Sequence, residues 1–483
     1  DATAEAGPDL QRVAAVVAAT RSLCVLSGGP GTGKTSTVVR ILAVLSRLRL
    51  ARGEEPLRIR LAAPTGKAAA RMKESVENAR GALPEELRAP IPDQAVTIHR
   101  LLGWRSGSIY FRHDEERKLP YDVLVVDEAS MVDLPLMAKI LRALPREARL
   151  VLVGDKDQLA SVEAGSVLGD LCSDDSPEAP RAGGSRSSLR FSTEARARYG
   201  RLSGQALPDA DTAESGNPLR DSIVILDRNY RFERDGGIYR LAEAVRRRST
   251  DEALEVLTGG KQPGAVFVEV ETASELASKI ESRVPEACSA YLDLANSGTD
   301  SKLFEAFNRF RLLCAVRQGD FGVERANVIV ADVLARKKLI TKRGEWYVGR
   351  PIMVTRNDYS LNLFNGDVGI LLSQDGRDQV RFEDGVRKGQ SLAPARLPAH
   401  ETVFALTVHK SQGSEFDDVV VILPPKESRI LGRELLYTAI TRARKNIEIW
   451  GTKDALRKAI ETRLARSSGL ADAIRTMAAQ REG

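Results

Sequence analysis

The run SGGPGTGKTST at residues 27–37 constrains the fold more than any other stretch, because it directly follows the apolar residues 23–26. Gly28, four further residues, Gly33, Lys34 and Thr35 have the spacing of a phosphate-binding loop, in which bare backbone amides surround phosphate oxygens. A lysine there reaches the terminal phosphates, a threonine hydroxyl holds Mg²⁺, and the next helix directs its positive end at the anion. The pattern predicts a nucleoside triphosphate site; the plainer alternative is an ordinary glycine-rich turn. The predicted nucleotide contacts are Gly28, Gly29, Pro30, Gly31, Thr32, Gly33, Lys34 and Thr35.

Length and composition limit the class of protein. A chain of 483 residues is too long for one hydrophobic core and suggests about three domains. The hydrophobic fraction of 42% and the charged fraction of 29% are ordinary for a globular protein. No apolar run is long enough to cross a bilayer, so we expect a cytoplasmic protein without membrane contact. A net charge of +6 permits a nucleic-acid partner without requiring one.

The four cysteines, Cys24, Cys172, Cys288 and Cys314, lie far apart in the sequence. This spacing argues against a disulfide framework and against zinc or iron–sulfur ligation. Cys24 and Cys314 lie in apolar runs and are expected to be packed thiols. The metal that the sequence predicts is the Mg²⁺ that accompanies a nucleotide.

Apolar runs that end in small or acidic residues alternate with helical patterns in the first third of the chain; these runs are SLCVLS, RIRLAAP, YDVLVVDEAS and ARLVLVGD. Such alternation predicts a doubly wound parallel sheet, with its ligand edge at the carboxyl ends of the strands. We predict a first α/β lobe over residues 1–172. Turn residues interrupt the alternation at about 104–120 and predict a small hairpin or loop insertion.

Residues 173–221 are rich in Ser, Gly, Pro, Arg and Asp and predict a flexible connector. Both a solvated linker and a segment that becomes ordered on a partner or on DNA fit this composition. Alternation resumes at SIVILDRNYRF and predicts a second α/β lobe over 222–483. Short alternating runs with Asn-Gly and Asp-Gly turns predict a small SH3-like β-barrel insertion in it at about 368–403. The helix-favouring run from Thr452 predicts a helix pair that closes the second lobe.

Polar residues follow two of the predicted strands of the first lobe. VLVVDEAS places Asp127 and Glu128 at a strand end, where one carboxylate could hold Mg²⁺ and the other could take a proton from the attacking water. We predict Asp127, together with Thr35, as the Mg²⁺ ligands and Glu128 as the general base. VGDKDQL ends the next strand at the same edge, where Gln158 could sense the terminal phosphate. An acidic pair alone also occurs at strand ends without catalytic function.

These motifs, in this order, resemble those of superfamily 1 DNA helicases, and within them the RecD type, the alpha subunit of the bacterial RecBCD complex (exonuclease V). The resemblance extends from about Gln11 to the end of the sequence. LQRVA is similar to the glutamine motif that reads adenine, which identifies Gln11. APTGKAAAR, with Pro64 and Thr65, is similar to a motif that touches the DNA backbone. TIHRLLG, with His99, resembles the next DNA-contacting motif.

The later motifs of the family have counterparts in the predicted second lobe. LDRNYRF contains Arg231, which matches the family's arginine that acts across the two lobes. TVHKSQGSEFD contains His409 and Ser411, to which the resemblance assigns contacts with the strand. ELLYTAITRAR contains Arg442, to which it assigns contacts with the phosphates.

The resemblance implies two RecA-like motor lobes and an ATP hydrolase coupled to DNA unwinding. The first lobe would contribute Lys34, Asp127, Glu128 and Gln158, and the second lobe would contribute the two arginines. ATP would then bridge the lobes, and its hydrolysis would change their separation. It also implies single-stranded DNA and DNA ends as substrates, movement from 5′ to 3′ in double-strand break repair and recombination, and RecB-like and RecC-like subunits as partners in a heterotrimer.

The chain departs from the family pattern in three ways. RecD-type subunits carry an additional N-terminal docking domain. Because Gln11 comes so early, we expect that this domain is either absent or left out of this sequence. The acidic motif reads DEAS rather than DEAD but keeps both carboxylates. Every segment is assigned to a lobe, an insertion or the connector, so we expect no nuclease domain.

Some assignments have simpler alternatives. His99 and His409 could be structural histidines, and Arg442 could lie on a solvated helix face. Trp104 and Tyr110 could stack on bases or pack the small insertion. Two other functions fit the motifs: a stand-alone helicase of the same superfamily, such as the helicase part of a relaxase, and a nucleotide-gated binding module that does not unwind DNA. The intact catalytic carboxylate and the two arginines disfavour the binding module.

Overall fold

The chain folds into two compact units in a computed structural model, which describes residues 8–105, 108, 110–160, 165–173, 191–205, 207, 217–231, 236–260, 263–298, 302–342, 344–358, 360–374, 376–383, 391–425, 428–464 and 469–482. The first unit comprises Asp1–Arg231 and Ala465–Gly483, and the second comprises Phe232–Leu464. Each unit is built on its own parallel sheet, and the second also carries a small antiparallel sheet. The predicted α/β fold class with two parallel-sheet lobes is therefore confirmed.

The elements of the first unit follow the predicted alternation of strands and helices. In chain order they are α1 (Leu10–Thr20), β1 (Leu23–Gly28), α2 (Lys34–Ala51), β2 (Ile59–Ala63), α3 (Gly66–Gly81), α4 (Glu85–Arg88), β3 (Ala95–Thr97), α5 (Ile98–Leu102), β4 (Val123–Val126), α6 (Leu134–Ala143), β5 (Arg149–Gly154), α7 (Val167–Leu171), α8 (Thr193–Ser203) and β6 (Ile223–Leu226). The helix Leu470–Glu482 belongs to this unit as well.

The six strands of the first unit form one parallel sheet in the order β3-β2-β4-β5-β1-β6. Both faces of this sheet are buried, because successive side chains of a strand point to opposite faces and both are apolar. In β1, Cys24 and Leu26 pack into the core that includes α1 and α2, whereas Val25 packs into the core that includes α5 and α6.

Several helices of the first unit begin at a side-chain cap. Asp9 accepts hydrogen bonds from the amides of Gln11 and Arg12, and Asp133 accepts one from Leu136. Thr65 caps α3 and Thr97 caps α5 in the same way. Such caps satisfy amides that have no partner within the helix, which fixes the residue at which the helix begins.

Strand β6 corrects the predicted boundary between the lobes. We placed SIVILDRNYRF in the second lobe, but β6 pairs in parallel with β1, and Val224 packs into the core of the first unit. An apolar strand pattern shows that a strand exists but does not show which sheet it joins. The second unit therefore begins after Arg231 rather than at residue 222.

The predicted flexible connector is also partly wrong. Within 173–221, helix α8 packs Ala195 and Tyr199 into the core of the first unit. Asp221 accepts hydrogen bonds from the amide and hydroxyl of Ser192 at 2.7 and 2.9 Å, and from the Arg21 guanidinium at 2.9 Å. These contacts hold α8 against α1. Residues 174–190, 206 and 208–216 lie outside the described part of the chain.

The insertion predicted at about 104–120 is a small hairpin-like loop. Trp104 and Phe111 pair as an isolated antiparallel bridge, and the amide of Arg112 donates to the carbonyl of Gly103 at 3.1 Å. Within the described residues, no helix or strand longer than this bridge lies between α5 and β4.

The second unit contains the remaining elements. They are α9 (Gly237–Arg247), α10 (Thr250–Thr258), β7 (Ala265–Glu269), α11 (Ala273–Asn296), α12 (Leu303–Phe307), β8 (Phe310–Cys314), α13 (Val323–Arg336), β9 (Pro351–Val354), β10 (Val368–Gln374), β11 (Arg377–Phe382), β12 (Ser391–Leu392), β13 (His400–Thr402), β14 (Ala405–Thr407), β15 (Phe416–Ile422), α14 (Arg433–Ile440), β16 (Ala443–Gly451) and α15 (Lys453–Glu461). Its parallel sheet has the order β14-β8-β15-β16-β7.

The small antiparallel sheet of this unit has the order β12-β11-β10-β9-β13. Its core contains Ile352, Leu371, Val380 and Phe382 among others. The predicted β insertion is thus present, but it begins at β9 rather than at residue 368, because β9 pairs with both β10 and β13.

The helices at the end of the chain do not form the predicted pair. Helix α15 belongs to the second unit, whereas Leu470 and Ile474 of the last helix pack into a core of the first unit. Helix-favouring composition predicted both helices but could not show where each one packs. None of the helices in the described residues is both long and apolar enough to cross a membrane.

We predict that Asp221→Ala loosens α8, because the variant removes the shared acceptor of Ser192 and Arg21. Amide hydrogen exchange in Thr193–Ser203 should accelerate about 30-fold, equivalent to about 2 kcal/mol. Glu115→Ala is the control, since it removes an exposed ion pair with Arg142 in the same unit and should leave exchange in α8 unchanged. Unprotected amides in α8 of the unmodified protein would contradict this assignment and restore the flexible connector.

Candidate nucleotide-binding and catalytic site

The phosphate loop follows β1, an interior strand of the first sheet. Strand β1 runs between β5 and β6, and the loop that follows it leads into α2. The neighbouring strands β4 and β5 run parallel to β1, so their carboxyl ends lie at the same edge. The topology therefore brings the loop, the Asp127–Glu128 pair and Gln158 to one edge of one sheet, as predicted for a nucleotide site.

Glycine is required in the loop because the backbone turns sharply and its neighbours approach closely. Gly31 has φ of 80° and Gly33 has φ of 79°, both in the left-handed region that other residues rarely adopt. A Cβ atom on Gly31 would lie 2.4 Å from the Arg231 Cβ, and one on Gly33 would lie 2.5 Å from Gln11 Nε2. Glycine occupies positions 31 and 33 because a Cβ atom there would be too close to its neighbours.

Every carbonyl oxygen from Gly28 to Gly33 accepts a hydrogen bond from the protein. Lys34 Nζ donates to the Gly28 oxygen at 2.6 Å and to the Gly29 oxygen at 2.9 Å. Two donors come from the segment after β6: Asn229 Nδ2 donates to the Pro30 oxygen and the Tyr230 amide donates to the Gly31 oxygen, both at 2.8 Å. Gln11 Nε2 donates to the Thr32 oxygen at 3.3 Å, and the Ser36 and Thr37 hydroxyls donate to the Gly33 oxygen at 2.8 Å.

This pattern has a direct consequence for anion binding. In a planar peptide unit the carbonyl and the N–H point in opposite directions. Carbonyls that are held by the protein therefore leave the loop N–H groups for an anion, apart from Pro30, which has no N–H, and Thr32, whose amide donates to the Gly29 oxygen at 3.4 Å. This is the arrangement of a phosphate nest. Lys34 begins α2, an 18-residue helix whose N-terminus adds a further partial positive charge at the loop.

Gln11 lies against the loop, as the predicted adenine-side residue should. Its amide nitrogen donates to the Thr32 oxygen, and its amide oxygen accepts a hydrogen bond from Arg40 Nη1 at 2.7 Å. Gln11 is therefore held between the phosphate loop and α2. Arg40, which sequence reasoning missed, fixes the orientation of this amide.

The acidic pair follows β4 in a strained backbone. Glu128 adopts φ of 50° and ψ of 40°, and its amide donates to Asp127 Oδ1 at 2.8 Å. A glutamate in the left-handed region is uncommon and stores strain, which is frequent at functional sites. Burial raises the pKa of Asp127 to about 6, and the charge of Glu128 adds to this rise, whereas the Glu128 amide and Lys34 lower it. A cation beside Asp127 would relieve this penalty.

Gln158 is buried at the same edge, with 6% of its surface exposed. Its Nε2 donates to Asp155 Oδ2 at 3.2 Å, whereas the Oε1 atom is buried and has no hydrogen-bond partner among the described residues. Asp155 is also buried and also accepts from the Asp157 amide. An unpaired buried acceptor costs about 1–3 kcal/mol, which is consistent with a side chain that awaits a partner such as water or ligand.

Arg231 is placed differently from the prediction. It is the last residue of the first unit, and its backbone amide donates to Asn229 Oδ1 at 2.8 Å beside the phosphate loop. Its side chain is exposed. Arg231 therefore stays next to the phosphate loop, but the prediction that it acts from the second lobe is wrong.

Arg442 lies in the second unit and is 2% exposed, which excludes the solvated helix face considered for it. Its guanidinium donates to the carbonyl oxygens of Thr438 and Ser414 at 3.1 and 3.2 Å, and to Thr441 Oγ1 at 3.4 Å. Arg442 thus joins the two late motifs of this unit. Its contact with phosphates stays a prediction.

The predicted DNA contacts of the second unit differ in accessibility. His409 is half-buried at the start of a short 3₁₀ turn, His409–Ser411. Ser411 has no exposed surface, and its hydroxyl donates to the Val408 oxygen at 2.7 Å. A buried, bonded hydroxyl cannot reach a strand in this conformation, so the predicted DNA contact by Ser411 is corrected to a structural role.

The predicted DNA contacts of the first unit lie at helix starts. Pro64 and Thr65 are half-buried, and the Thr65 hydroxyl accepts from the Ala68 amide at 3.1 Å. The ring centroid of His99 lies 5.8 Å from that of Phe111. Burial lowers the pKa of His99, and the charge of Lys139 lowers it further, whereas that of Asp133 raises it. His99 is thus expected to be neutral at physiological pH, when it can both donate and accept a hydrogen bond.

The two aromatic residues of the insertion are both exposed. Tyr110 is 74% exposed, so it does not pack the insertion, which leaves base stacking as its predicted role. Trp104 is 37% exposed and pairs with Phe111 through the backbone, and it therefore still fits either alternative.

Sequence reasoning missed Asn229 and Tyr230, which contact the phosphate loop. Both lie in LDRNYRF, in which Arg231 is the predicted site residue. The usable signal was the polar run directly after an apolar strand, which is where the ligand edge of a parallel sheet lies. Assigning that strand to the second lobe hid the signal.

The donor set of the site fits Mg²⁺. The Thr35 hydroxyl and the Asp127 carboxylate are hard oxygen ligands, which Mg²⁺ prefers together with phosphate oxygens and water. The raised pKa of Asp127 indicates a buried carboxylate that a cation would stabilise. Among the described residues, no group of three or more His, Cys, Asp or Glu side chains is placed to hold a metal.

Two family models match the chain. Residues 11–164 match a family described as an AAA domain, and residues 402–447 match a UvrD-like helicase C-terminal domain. The first match covers the phosphate loop and the acidic pair, and the second covers His409 and Arg442.

Curated relatives match nearly the whole chain. The RecBCD enzyme subunit RecD of Haemophilus influenzae is 36% identical over 96% of this chain and 72% of its own length. The same subunit of Mycolicibacterium smegmatis is 40% identical over 97% of this chain and 76% of its own length. The ATP-dependent RecD2 DNA helicase of Deinococcus radiodurans is 31% identical over 94% of this chain and 50% of its own length.

Among solved structures, Bacteroides Pif1 bound to single-stranded DNA aligns with 98% of this chain and 97% of its own. The sequence identity is 18% and the TM-score is 0.48.

We predict that Gly31→Ala weakens ATP binding at least about tenfold, because the new Cβ would collide with Arg231 and Asn229 and displace the loop. Gly53→Ala is the control: Gly53 has φ of 67° but no neighbour within 4 Å of the new Cβ, so it adds similar backbone strain without crowding. Titration with a fluorescent ATP analogue measures both. Equal affinities of the two variants would show that the crowding around Gly31 does not matter for the nucleotide.

Proposed function

The chain belongs to the RecD family of superfamily 1 DNA helicases, and from this membership we propose that it is an ATP-dependent DNA helicase subunit that acts in RecBCD-type repair of double-strand breaks. The observation that carries the proposal is the phosphate loop with all its carbonyls from Gly28 to Gly33 bonded to protein, at the same sheet edge as the Asp127–Glu128 pair and Gln158. This arrangement suits hydrolysis of a bound triphosphate, and the family supplies the coupling to DNA.

Each side chain of the site has a role in the proposed hydrolysis. The loop amides and Lys34 bind the phosphate oxygens and neutralise their charge. Glu128 orients the attacking water and takes its proton, which contributes about 10² to 10⁴ in rate for a positioned base. The amide oxygen of Gln158, which has no hydrogen-bond partner among the described residues, binds that water or another water molecule on the phosphates. Gln11 binds the adenine side of the nucleotide.

Mg²⁺ would be held by Thr35 and Asp127, and it would neutralise charge on the phosphates. A bound divalent cation would also offset the burial that raises the pKa of the Asp127 carboxyl.

Arg231 and Arg442 are the further cations proposed for the transferred phosphoryl group. Arg231 would act from beside the phosphate loop, and Arg442 would act from the second unit. Such a cation is worth about 10³ to 10⁵ in rate in related phosphoryl-transfer enzymes.

Pro64, Thr65 and His99 are proposed to bind the DNA backbone from the first unit and His409 from the second. Exposed Tyr110 is proposed to stack on a base. Movement from 5′ to 3′ and assembly with RecB-like and RecC-like subunits in the cytoplasm follow from the family by analogy.

The stand-alone helicase has one observation in its favour, the similarity to the Deinococcus RecD2 helicase. The RecD subunits are more similar to this chain, and it covers more of their length. The native mass of the protein mixed with RecB-like and RecC-like subunits would separate these two functions, because a stand-alone helicase would not form the heterotrimer.

The test of the proposed function is ATP hydrolysis with and without single-stranded DNA, together with unwinding of duplexes that carry a 5′ or a 3′ tail. We expect strong stimulation by DNA and unwinding of the 5′-tailed duplex. Lys34→Gln should lower hydrolysis at least a hundredfold (roughly 10², the loss of one charge-stabilising donor). Lys73→Gln is the matched control, since Lys73 pairs with Glu77 on the surface of α3 in the same unit. This variant should hydrolyse ATP at the normal rate.

Equal hydrolysis with and without DNA would exclude a DNA-driven motor. Nucleotide binding without strand separation on either tailed duplex would favour the nucleotide-gated binding module. Unwinding of the 3′-tailed duplex would retain the helicase and reverse the proposed polarity.

We expect Glu128→Gln to separate binding from chemistry. Because the amide cannot accept the proton of the attacking water, kcat should fall by about 10² to 10⁴, whereas affinity for a fluorescent ATP analogue should change less than about threefold. Glu115→Gln, at an exposed position of the same unit, should leave kcat unchanged. A Glu128→Gln variant with normal kcat would remove this residue from the mechanism.

A further inference from the structure

The segment between β6 and the second unit lies across the carbonyl side of the phosphate loop. Asn229 Nδ2 donates to the Pro30 oxygen at 2.8 Å, and the Tyr230 amide donates to the Gly31 oxygen at 2.8 Å. The side-chain oxygen of Asn229 also forms a hydrogen bond, since Oδ1 accepts from the Arg231 backbone amide at 2.8 Å. One side chain thus bonds to the loop with its nitrogen and fixes its own backbone with its oxygen.

Only an amide side chain of this length can do both. The turn formed by Asn229 Oδ1 and the Arg231 amide orients the side chain before the loop is contacted, so little further entropy is lost. Aspartate could keep the turn, but it has no proton to donate to Pro30 and would place a negative charge against that carbonyl. Alanine would lose both hydrogen bonds.

The contact is also tight. A Cβ on Gly31 would lie 2.8 Å from Asn229 Oδ1 as well as 2.4 Å from the Arg231 Cβ. The segment 229–231 therefore packs directly against the loop at Gly31, with no space for a side chain between them.

We infer that Asn229 is a positioning residue, which holds the carbonyl side of the phosphate loop and thereby keeps the loop amides directed at the nucleotide phosphates. Without it the Pro30 peptide can rotate, and an amide that is free to rotate must be reoriented on each binding event. The loss falls on nucleotide affinity and on the reaction, not only on folding.

The same contact links the nucleotide to the rest of the motor, and this second step rests on the proposed function. Arg231 is the last residue of the first unit, so residues 229–231 are the covalent entry to the second unit. Phosphates that tighten the loop also tighten this segment. By thermodynamic reciprocity, DNA that alters the segment must alter nucleotide affinity.

Asn217 provides a matched control in the same unit. Its Nδ2 donates to the carbonyl oxygens of Leu171 and Ser173 at 2.8 and 3.1 Å, and its Oδ1 accepts from the Leu219 amide at 2.9 Å. The chemistry is that of Asn229, but the carbonyls it holds belong to the end of α7 rather than to the phosphate loop.

The experiment compares Asn229→Asp and Asn229→Ala with Asn217→Asp, using fluorescent ADP binding and thermal unfolding. We expect the Kd for ADP to rise about tenfold or more in Asn229→Asp, and by a smaller factor in Asn229→Ala, which adds no negative charge. Asn217→Asp should lower the unfolding temperature at least as much yet change the Kd less than about twofold. If Asn229→Asp does not fold, Asn229→Ala supplies the same comparison.

An Asn229→Asp protein with the Kd of Asn217→Asp would overturn the inference, because its effect would then be on stability alone. For the coupling step, an oligo(dT) strand should shift the Kd for ADP in the unmodified protein, and this shift should shrink at least threefold in Asn229→Ala. An unchanged shift would overturn the link. Nucleotide binding without DNA-stimulated hydrolysis in the unmodified protein would remove the proposed function, whereas the positioning role of Asn229 would still be judged from ADP binding.

Discussion

The structure of the first unit depends on how the phosphate loop is held. Six consecutive carbonyl oxygens, from Gly28 to Gly33, accept hydrogen bonds from the protein. The N–H groups on the opposite side therefore remain for an anion, apart from Pro30, which has none, and Thr32, whose amide donates to Gly29. The donors come from four places: α1 through Gln11, the loop itself through Thr32, α2 through Lys34 and its neighbours, and the segment after β6 through Asn229 and Tyr230. A loop rich in glycine gains conformational freedom in the unfolded chain and needs these contacts to have one shape when folded.

The same requirement explains why β6 joins the first sheet. Its pairing with β1 places Asn229 and Tyr230 directly beside the loop. Helix α8 supports the loop indirectly, through α1. It packs against α1 and is fixed by Asp221, and α1 carries the Gln11 side chain that reaches the loop. Helix α8, predicted as part of a linker, and β6, predicted as part of the second lobe, therefore both support the nucleotide site.

The site itself was largely predictable, since its residues lie in short motifs with fixed spacing. Lys34, Asp127 and Glu128 lie where the strand pattern and the glycine spacing placed them, because a strand that ends in a polar residue directs that residue to the ligand edge. The prediction failed where long-range packing decides. Ser411 is buried rather than available to DNA, yet nothing in its local sequence distinguishes these two states.

By itself the sequence determined that the chain contains a phosphate loop, an acidic pair at a strand end, two parallel-sheet lobes and a family resemblance, because these follow from local spacing and from the period of apolar residues. Only the tertiary structure decided which sheet β6 joins, that α8 belongs to a core, that the last helix returns to the first unit and that Asn229 holds the loop. The physical reason is that these are contacts between residues distant in sequence, and the free energy that selects them comes from the surfaces that fold against each other rather than from the segment alone.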